Sequence, residues 1–449
     1  MDRRAFLQTL PALAQTRRRP DSPPNILFIM PDQWRGMDLG VAGNTQVRTP
    51  NLDRLAREGM LFRGAVANTP VCTPARGTLL TGKYPHSCGV AVNDVPLPAE
   101  ENTIGKILRE RGYFTGFIGK WHLEGGKREP GFVAPGARRM GFEYWAANIC
   151  SHNYFHQRYF RDDATPIEIK GYDAFGWTDL GIEFLEKARE KGKPFCLYWQ
   201  PPTPHDPYIP PPGFETMYDP ERIELRKNWR AGAKRSGTRK DIAGYYAAIA
   251  CLDEQIGRLL KKLDDIGQRE NTIVFVTSDH GDMHGSQGTF LKRKPWEESV
   301  RVPGIFRWPE GIKAGGQSDA PFSHVDVVPT LLELSGSRPP AGMQGASYAD
   351  YLLGRSKKSP AMAHLMIYTK TEANEYEPWR GVRSRKYKYA RFRDRPWMLH
   401  DLEKDPYEME NLAGRPESAK LMAKLDAEIE RRMRLTGDKW DELHDQPYR

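Results

Sequence analysis

The sequence predicts an α/β protein whose large sheet is covered by helices on both faces and is followed by a smaller α+β domain. The first observation is that four short apolar runs, rich in β-branched or aromatic residues, alternate with helical patterns. The second is that several helical patterns end at glycine, which favours helix termination. The third is a change after about Gly354 from long helices to short alternating segments. A chain of 449 residues is long enough for more than one domain.

The individual elements follow from these patterns. Buried strands are predicted at 25–32 (NILFIMPD), 114–122 (FTGFIGKWH), 195–201 (FCLYWQP) and 272–282 (TIVFVTSDHGD). Helices are predicted at 51–59, 103–112, 179–192 and 241–267, with a last helix and a Pro/Gly-rich linker in 323–345. Short antiparallel strands and a charged amphipathic helix over 416–436 are expected after Gly354. The predicted units are therefore a tail over 1–22, a large domain over 23–354 and a C-terminal subdomain over 355–449.

Composition narrows the classes of function. The chain has 67 Lys and Arg against 58 Asp and Glu, a net charge of +9, which suits an anionic substrate. Basic runs such as 226–240 are typical of solvated loops, and no zinc-finger spacing or other nucleic-acid signature is present, so we expect no nucleic-acid partner. No apolar run approaches the roughly 18 residues of a membrane span. The five cysteines are widely spread and odd in number, which argues against a disulfide framework.

The N-terminal stretch MDRRAFLQTLPALAQ places paired arginines before a short apolar segment. This pattern resembles a twin-arginine export signal, and the ALA before Gln15 resembles a cleavage site. It predicts a periplasmic or secreted protein. The alternative is an unstructured tail on a cytoplasmic one.

Polar side chains stand at or just after the end of every predicted buried strand. They are Asp32, His122, His205 and the pair Asp279–His280. Because ligands of open α/β sheets bind at the carboxyl ends of strands, we expect these groups to converge on one site. Each residue taken alone is equally explained as a turn residue or a satisfied loop histidine.

Two kinds of chemistry are present in this set. Asp32, Asp279 and His280 could hold a divalent cation, because carboxylates suit Ca²⁺ or Mg²⁺ and the imidazole widens the choice toward Mn²⁺ or Zn²⁺. The remaining candidates supply cationic or proton-transferring groups: Lys120, His122, His205 and Lys292. Together with a nucleophile, such groups describe a site for an oxyanion ester.

Cys72 lies just before a predicted helix in the stretch NTPVCTPARGTLLTG. Thr73 can cap that helix, and Pro74 suits its first turn. A thiol beside a helix N-terminus lies among unpaired N–H groups that favour anions. The residues alone leave a second interpretation open, in which Cys72 is a small buried side chain.

The motifs, taken in order, resemble those of the type I sulfatases of the alkaline phosphatase superfamily from about residue 24 to 440. The matching stretches are NILFIMPDQ (25–33), CTPAR (72–76), GKWHL (119–123), PPTPHDPY (201–208), TSDHGD (277–282), FLKRKPWEESVRVP (290–303), and the C-terminal WRGVRSRKYKY and LHDLEKDPYEMENL. The resemblance implies an alkaline-phosphatase-like fold, with a large mixed β-sheet sandwiched by helices. It also implies a catalytic domain over 23–354 and a smaller C-terminal α+β domain with a short antiparallel sheet.

The resemblance assigns Cys72 a modification. A formylglycine-generating maturation enzyme would convert Cys72 to formylglycine, an aldehyde present as its hydrate, and Arg76 would belong to the recognition signal and orient the product. One hydroxyl of the hydrate would attack sulfur and expel the alcohol. The second hydroxyl would then let the covalent sulfate leave by elimination. An unmodified thiol lacks the two oxygens on one carbon that this cycle needs.

The resemblance also assigns the other site residues. The implied metal is one Ca²⁺ per chain, with Mg²⁺ or Mn²⁺ as alternatives, held by Asp32, Gln33, the modified Cys72, Asp279 and His280. The residues implied to bind sulfate or assist the leaving group are Lys120, His122, His205 and Lys292, with Lys120, His205 and Lys292 as direct substrate contacts. Lys292 is preferred over Lys294 because it stands four residues before the WE pair.

These motifs recognise the sulfate group and leave the alcohol open. The segments 123–177, 206–240 and 368–381 are rich in Trp, Tyr, Arg and His, which favours a sulfated carbohydrate. Packing between domains would explain the same aromatic residues. His152, His156 and Arg380 are the candidates for substrate contact.

Three other interpretations remain. A phosphonate monoester or phosphodiester hydrolase of the same superfamily shares the motifs quoted above. A sulfatase-fold binding protein without turnover would result if Cys72 were never modified. A cysteine hydrolase that uses the Cys72 thiolate lacks a matching His–Asn/Asp signature and leaves the acidic groups unexplained.

Overall fold

A computed structural model describes residues 22–231, 238–369 and 377–440. Its main element is an eight-stranded sheet with the order β10-β2-β9-β8-β1-β7-β3-β4. The strands are β1 (Asn25–Ile29), β2 (Met60–Phe62), β3 (Phe114–Lys120), β4 (Tyr144–Asn148), β7 (Phe195–Gln200), β8 (Thr272–Val276), β9 (Ile305–Arg307) and β10 (Gly316–Ser318). Only β9 runs antiparallel to its neighbours, so the sheet is mixed, as expected. Two short strands, β5 (Arg158–Tyr159) and β6 (Ile167–Glu168), form a separate antiparallel pair.

The four predicted strands correspond to β1, β3, β7 and β8 at the centre of this sheet. Each ends one to six residues before its predicted end, because the polar residues that follow leave the hydrogen-bonded ladder. The other four strands of the sheet, β2, β4, β9 and β10, were not predicted. With three residues each, β2, β9 and β10 are too short to show periodicity, and β4 has only five.

Helices cover the sheet on both faces. They are α1 (Pro50–Arg57), α2 (Cys72–Thr81), α3 (Ile104–Glu110), α4 (Asp173–Lys191), α5 (Arg239–Asp265), α6 (Glu297–Val300), α7 (His324–Leu334) and α8 (Ala349–Leu352). The longest, α5, begins at a capping box in which the side chains of Thr238 and Asp241 each accept a bond from the other residue's backbone N–H. Helix α4 begins six residues earlier than predicted.

Alternate side chains of the central strand enter different cores. Leu27 and Ile29 of β1 pack with the side chains of α4 and α5. Ile26 and Phe28 point to the other face, where they pack with α2, α3 and α7. Burial on both faces explains why the central strands are continuous apolar runs rather than alternating ones.

The C-terminal part forms a four-stranded antiparallel sheet, as predicted. Its strands are β11 (Met362–Ile367), β12 (Trp379–Ser384), β13 (Tyr387–Arg391) and β14 (Pro396–Asp401). Helix α9 (Ala419–Thr436) covers this sheet through Leu425, Ile429 and Met433. The domain boundary at residues 354 and 355 stays a prediction.

The predicted export signal lies almost wholly outside the described residues, which begin at residue 22. Of the helices formed by the described residues, none combines the length and apolar character needed to cross a membrane.

Candidate active site

The carboxyl edge of the main sheet brings the predicted polar residues together. Asp32 follows β1, Lys120 ends β3, His205 follows β7, and Asp279 follows β8. A cavity of about 440 Å³ opens at this edge. Its lining includes five predicted residues, Cys72, Lys120, His122, His205 and Lys292, together with Asn93, Arg128, Cys150, His152 and Arg293.

Cys72 is the first residue of α2 and is only 3% exposed. Val71 is the N-cap and contributes no side-chain bond, so the expectation that Thr73 caps the helix was wrong. The Thr73 hydroxyl instead donates to the carbonyl of His122 at 2.9 Å, which ties the helix start to the loop after β3. The Cys72 Sγ lies 3.2 Å from Nε2 of His280.

Four buried side chains form a group that could hold a metal ion: Asp32, Cys72, Asp279 and His280. One ligand atom from each lies within 4.8 Å of the others. The Oδ1 of Asp32 has no hydrogen-bond partner among the described residues, although it is fully buried. An orphaned buried carboxylate oxygen beside a second carboxylate and an imidazole fits a divalent cation.

Gln33 follows Asp32 with a positive φ of 65°. Its Oε1 accepts a hydrogen bond from Nζ of Lys292 at 2.8 Å. Its Nε2 donates to Asp282 at 2.7 Å. The structure therefore shows Gln33 as a partner of Lys292, and its role as a metal ligand stays a prediction.

The Arg76 guanidinium lies beneath the metal group and is 2% exposed. Its Nη2 contacts Asp279 at 3.0 Å and Asp32 at 3.3 Å. Its Nη1 donates to the carbonyl of Lys120 at 2.7 Å and to the side chain of Gln200 at 2.8 Å. One side chain thus joins the ends of β1, β3, β7 and β8.

Two lysine–histidine pairs face the cavity. The Nζ of Lys120 donates to Asp32 at 2.5 Å and lies 3.2 Å from Nε2 of His152. The Nζ of Lys292 lies 2.6 Å from Nε2 of His205. The rings of His152 and His205 stack with centroids 3.9 Å apart, so the two pairs adjoin.

His122 also lines the cavity and has a positive φ of 52°. Its Nε2 lies 2.9 Å from Asp94, and its buried Nδ1 has no partner among the described residues. Asp94 also accepts hydrogen bonds from the half-exposed Arg128. Asp94 therefore links His122 to Arg128 by hydrogen bonds, and both of these side chains line the cavity.

The lysines that line the cavity influence the pKa values of the buried groups beside it. Burial alone would raise the pKa of the Cys72 thiol, but Lys120 and Lys292 hold that pKa well below its usual range. Burial would also raise the pKa of Asp32, yet Lys120 keeps the pKa of this carboxyl low. Burial, with His152 and Lys292 nearby, lowers the pKa of His205, so its ring is neutral. The cavity therefore favours an anion at Cys72 and a neutral imidazole beside it.

The loop that carries Lys292 is held by the C-terminal sheet. Trp379 of β12 donates its indole N–H to the carbonyl of Arg293 at 3.2 Å. Glu297 pairs with Arg383 at 3.2 Å and with Lys388 at 2.9 Å. Lys294, the alternative to Lys292, is 4% exposed and does not line the cavity.

Among the candidates for substrate contact, the structure brings only His152 into the cavity. The side chain of His156 is 75% exposed and lies 3.8 Å from Glu168. Arg380 is buried in the C-terminal sheet, where it forms two hydrogen bonds with Asp438.

Sequence reasoning missed Gln200 and Asp94. Gln200 ends β7, and the strand-end rule that selected the other residues would have found it. Asp94 lies in a loop and has no such signal. All five cysteines are free and buried, and two of them, Cys196 and Cys251, lie in the hydrophobic cores.

A buried group of carboxylates, imidazole and thiol on the floor of a cavity lined by lysine and histidine is the arrangement of a hydrolase for oxyanion esters. Comparison with known proteins gives the family. Residues 24–337 match the model of the Sulfatase family, and residues 285–434 match the C-terminal model of N-sulphoglucosamine sulphohydrolase. The chain belongs to the sulfatase family, the type I sulfatases of the alkaline phosphatase superfamily, and is a sulfuric ester hydrolase.

Individual relatives agree along most of the chain. An ulvan-active sulfatase of Formosa agariphila is 38% identical, with 95% of this chain and 84% of the relative covered. An N-acetylglucosamine-6-O-sulfatase of Bacteroides thetaiotaomicron is 30% identical, with 93% and 87% covered. A structure solved in complex with its substrate D-glucosamine-2-N,6-O-disulfate superposes with a TM-score of 0.83 at 27% identity and covers 95% of this chain and 100% of its own.

Proposed function

We propose that this protein hydrolyses a sulfate ester of a sulfated saccharide, with a nucleophile made from Cys72 and a divalent cation. The observation that carries the proposal is the position of Cys72 at the floor of the cavity. Its Sγ lies within 4.8 Å of carboxylate oxygens of Asp32 and Asp279 and of a ring nitrogen of His280. Lys120 and Lys292 provide positive charge on the substrate side.

The proposed cofactors are formylglycine at residue 72, made by a formylglycine-generating maturation enzyme, and Ca²⁺, with Mg²⁺ or Mn²⁺ as alternatives. Asp32, Asp279 and His280 would hold the cation, and Gln33 remains a proposed fourth side-chain ligand. The hydrated aldehyde supplies a hydroxyl nucleophile, and the cation supplies positive charge that lowers the pKa of that hydroxyl.

The chain's own residues bind the sulfate and handle the proton of the leaving alcohol. Lys120 and Lys292 reach the cavity as ammonium groups that can donate to sulfate oxygens. His205, neutral and 2.6 Å from Lys292, can receive a proton from the ammonium and pass it to the departing oxygen. His122, oriented by Asp94, presents a further imidazole to the cavity. Arg76 holds the two carboxylates in place from below.

The saccharide part of the proposal rests on the rim and on the relatives. Arg128, Asn93 and Asn153 line the cavity beyond the sulfate-binding groups and can donate hydrogen bonds to sugar hydroxyls or a second anionic group. By their names, one similar protein is active on ulvan, and another is an N-acetylglucosamine-6-O-sulfatase. A sulfated sugar is therefore the substrate class that we propose.

The first experiment is peptide mass spectrometry of the protein from its native host. Exchange of the Cys72 thiol for an aldehyde predicts a loss of about 18 Da in the peptide that contains it. A Cys72→Ser variant should lose turnover of an aryl sulfate, whereas the matched variant Cys251→Ser, which changes a buried cysteine of α5, should retain it. An unmodified thiol in active native protein would overturn the mechanism.

A second measurement separates the sulfatase from the phosphonate or phosphodiester hydrolase of the same superfamily. The value of kcat/KM for an aryl sulfate should exceed the values for an aryl phosphonate monoester and an aryl phosphodiester. The opposite order would favour the alternative.

We also propose export, on the basis of the paired arginines near the N-terminus. Fractionation of the native host should find the protein outside the cytoplasm. Replacement of Arg3 and Arg4 by Lys should retain it inside.

A further inference from the structure

A second cavity, of about 250 Å³, lies between the main sheet and the C-terminal sheet and is lined by four arginines. We call it the arginine cleft: Arg63, Arg301, Arg383 and Arg385. Arg63 directly follows β2, and Arg383 belongs to β12. Because β2 and β8 both run antiparallel to β9, the carboxyl end of β2 lies at the same edge of the sheet as the candidate active site. The cleft therefore occupies a position where α/β sheets bind ligands, away from the cavity of Cys72.

The acidic residues of the cleft do not neutralise it. Asp319 is engaged by Arg63 through two hydrogen bonds of 2.8 and 3.0 Å. Glu297 contacts Arg383 at 3.2 Å and Lys388 at 2.9 Å, and Lys388 has a second partner in Glu408 at 2.7 Å. Glu403 lies 4.0 Å from Arg385. The lining therefore holds four arginines against three carboxylates, which leaves one positive charge in excess.

Two guanidinium groups retain unused donors. Arg301 forms no ion pair and no side-chain hydrogen bond with the residues that the structure describes, although little of it is exposed. The Nη1 of Arg383 is buried and also has no partner in the described part of the chain. Since the Arg383 side chain is only 8% exposed, water from bulk solvent has little access to this donor.

The groups around Arg301 make its positive charge unfavourable. Burial lowers the pKa of its guanidinium, and although Glu297 opposes the shift, the neighbouring Arg383, Arg226 and Arg63 add to it. A cation held in this way gains stability from any anion that enters the cleft. Guanidinium forks match the oxygen spacing of tetrahedral oxyanions, to which they can donate two parallel hydrogen bonds.

We propose that the arginine cleft binds a tetrahedral dianion of the sulfate or phosphate type, held by Arg301 and by Nη1 of Arg383. The group can be a free inorganic ion or an ester on a larger molecule. An adjoining cavity of about 440 Å³ shares Arg301 and Pro406 with the cleft and gives such a molecule room to extend. The site is separate from the one in which Cys72 reacts, and the proposal does not depend on the proposed function.

The location of the site is tested by diffraction. Crystals soaked in selenate, a heavy analogue of sulfate, should show an anomalous peak within hydrogen-bond distance of Arg301 and Arg383. The peak should disappear in Arg301→Gln and persist in Arg258→Gln. The control removes the same charge from a half-exposed arginine of α5 that pairs with Asp179. Absence of the peak in the wild type would overturn the proposal.

The affinity is tested by isothermal titration calorimetry with sodium sulfate. Loss of one charge-assisted contact should weaken sulfate binding at this site at least about tenfold in Arg301→Gln, and Arg301→Lys should retain part of the affinity. Binding in the cavity of Cys72 is common to all variants, so their difference reports on the cleft. A selenate peak without any binding in solution that depends on Arg301 would mean an adventitious ion only, and the proposal would fail.

The source of the anion is distinguished with a disulfated disaccharide, titrated in the Cys72→Ser background to prevent turnover. If the cleft receives an ester sulfate, the disaccharide should bind at least about ten times more tightly than inorganic sulfate, and Arg301→Gln should remove that advantage. Equal affinities, both dependent on Arg301, would support a free anion as the ligand. If the change at Arg301 alters neither affinity, the proposal is wrong.

Discussion

Replacement of Arg76 by methionine tests whether its guanidinium balances the negative charge of Asp32 and Asp279, the two carboxylates of the group that could hold a metal ion. In the structure it contacts Asp279 at 3.0 Å and Asp32 at 3.3 Å, with all three side chains buried. Methionine keeps much of the volume but leaves two carboxylates without their shared cation. Removal of one partner from a buried ion pair costs about 3–5 kcal/mol.

This free energy corresponds to a measurable change in melting temperature. With about 2.1 cal/mol/K of unfolding entropy per residue, the 449 residues give about 0.9 kcal/mol/K. The Arg76→Met variant should therefore melt about 3–5 °C below the wild type in EDTA. Saturating CaCl₂ should reduce the difference, because a bound cation restores positive charge beside the same carboxylates.

Differential scanning calorimetry of the unmodified proteins measures both values. The control is Arg258→Met, which breaks a surface ion pair with Asp179 and should change the melting temperature by less than about 1 °C. If Arg76→Met melts within about 1 °C of the wild type in EDTA, the guanidinium does not balance these carboxylates and the reasoning fails.

Three further predictions concern other parts of the molecule. Lys292→Met should lower kcat/KM for an aryl sulfate about 100-fold or more, because the Lys292 side chain lines the cavity. Lys294→Met should lower kcat/KM less. Equal losses would contradict the choice of Lys292 over Lys294 as the sulfate contact. Burial raises the pKa of Asp173 to about 7, so ionisation of this carboxyl should remove up to about 4 kcal/mol from the stability of the wild type as pH rises from about 4 to 7. In urea titrations at the two pH values, the stability of the wild type relative to Asp173→Asn should fall by up to that amount. The same pH dependence in both proteins would contradict that pKa. Arg128→Gln should raise KM for a sulfated disaccharide about tenfold and leave KM for a small aryl sulfate unchanged, and a parallel change in both would argue against a saccharide contact.

The residues at the ends of the central strands could be predicted from the sequence. Asp32, His205 and Asp279 each follow an apolar run that only a buried strand explains, and the topology of parallel sheets places such residues at one edge. The structure brings them together at the carboxyl edge of the main sheet, where His205 lines the cavity. The same reasoning applied to the last residue of each strand would also have selected Gln200.

The parts that could not be predicted depend on contacts between distant segments. Asp94 meets His122 across a separation of 28 residues, and neither residue lies in a pattern that indicates the other. Arg380 was a candidate for substrate contact because it lies in a segment rich in aromatic and basic residues. Its partner, Asp438, is 58 residues away, and only the folded chain shows that the pair is buried.

The contacts between the C-terminal sheet and the loop after Lys292 have a consequence for how the two parts of the chain can evolve. Trp379, Arg383 and Lys388 contact that loop from outside the main sheet. The part of the chain before the C-terminal sheet therefore does not fix this loop by itself, and exchange of the C-terminal part between relatives would also change the position of Lys292, the lysine that we propose binds sulfate. Recombination would preserve activity only where the loop and its three anchors are inherited together.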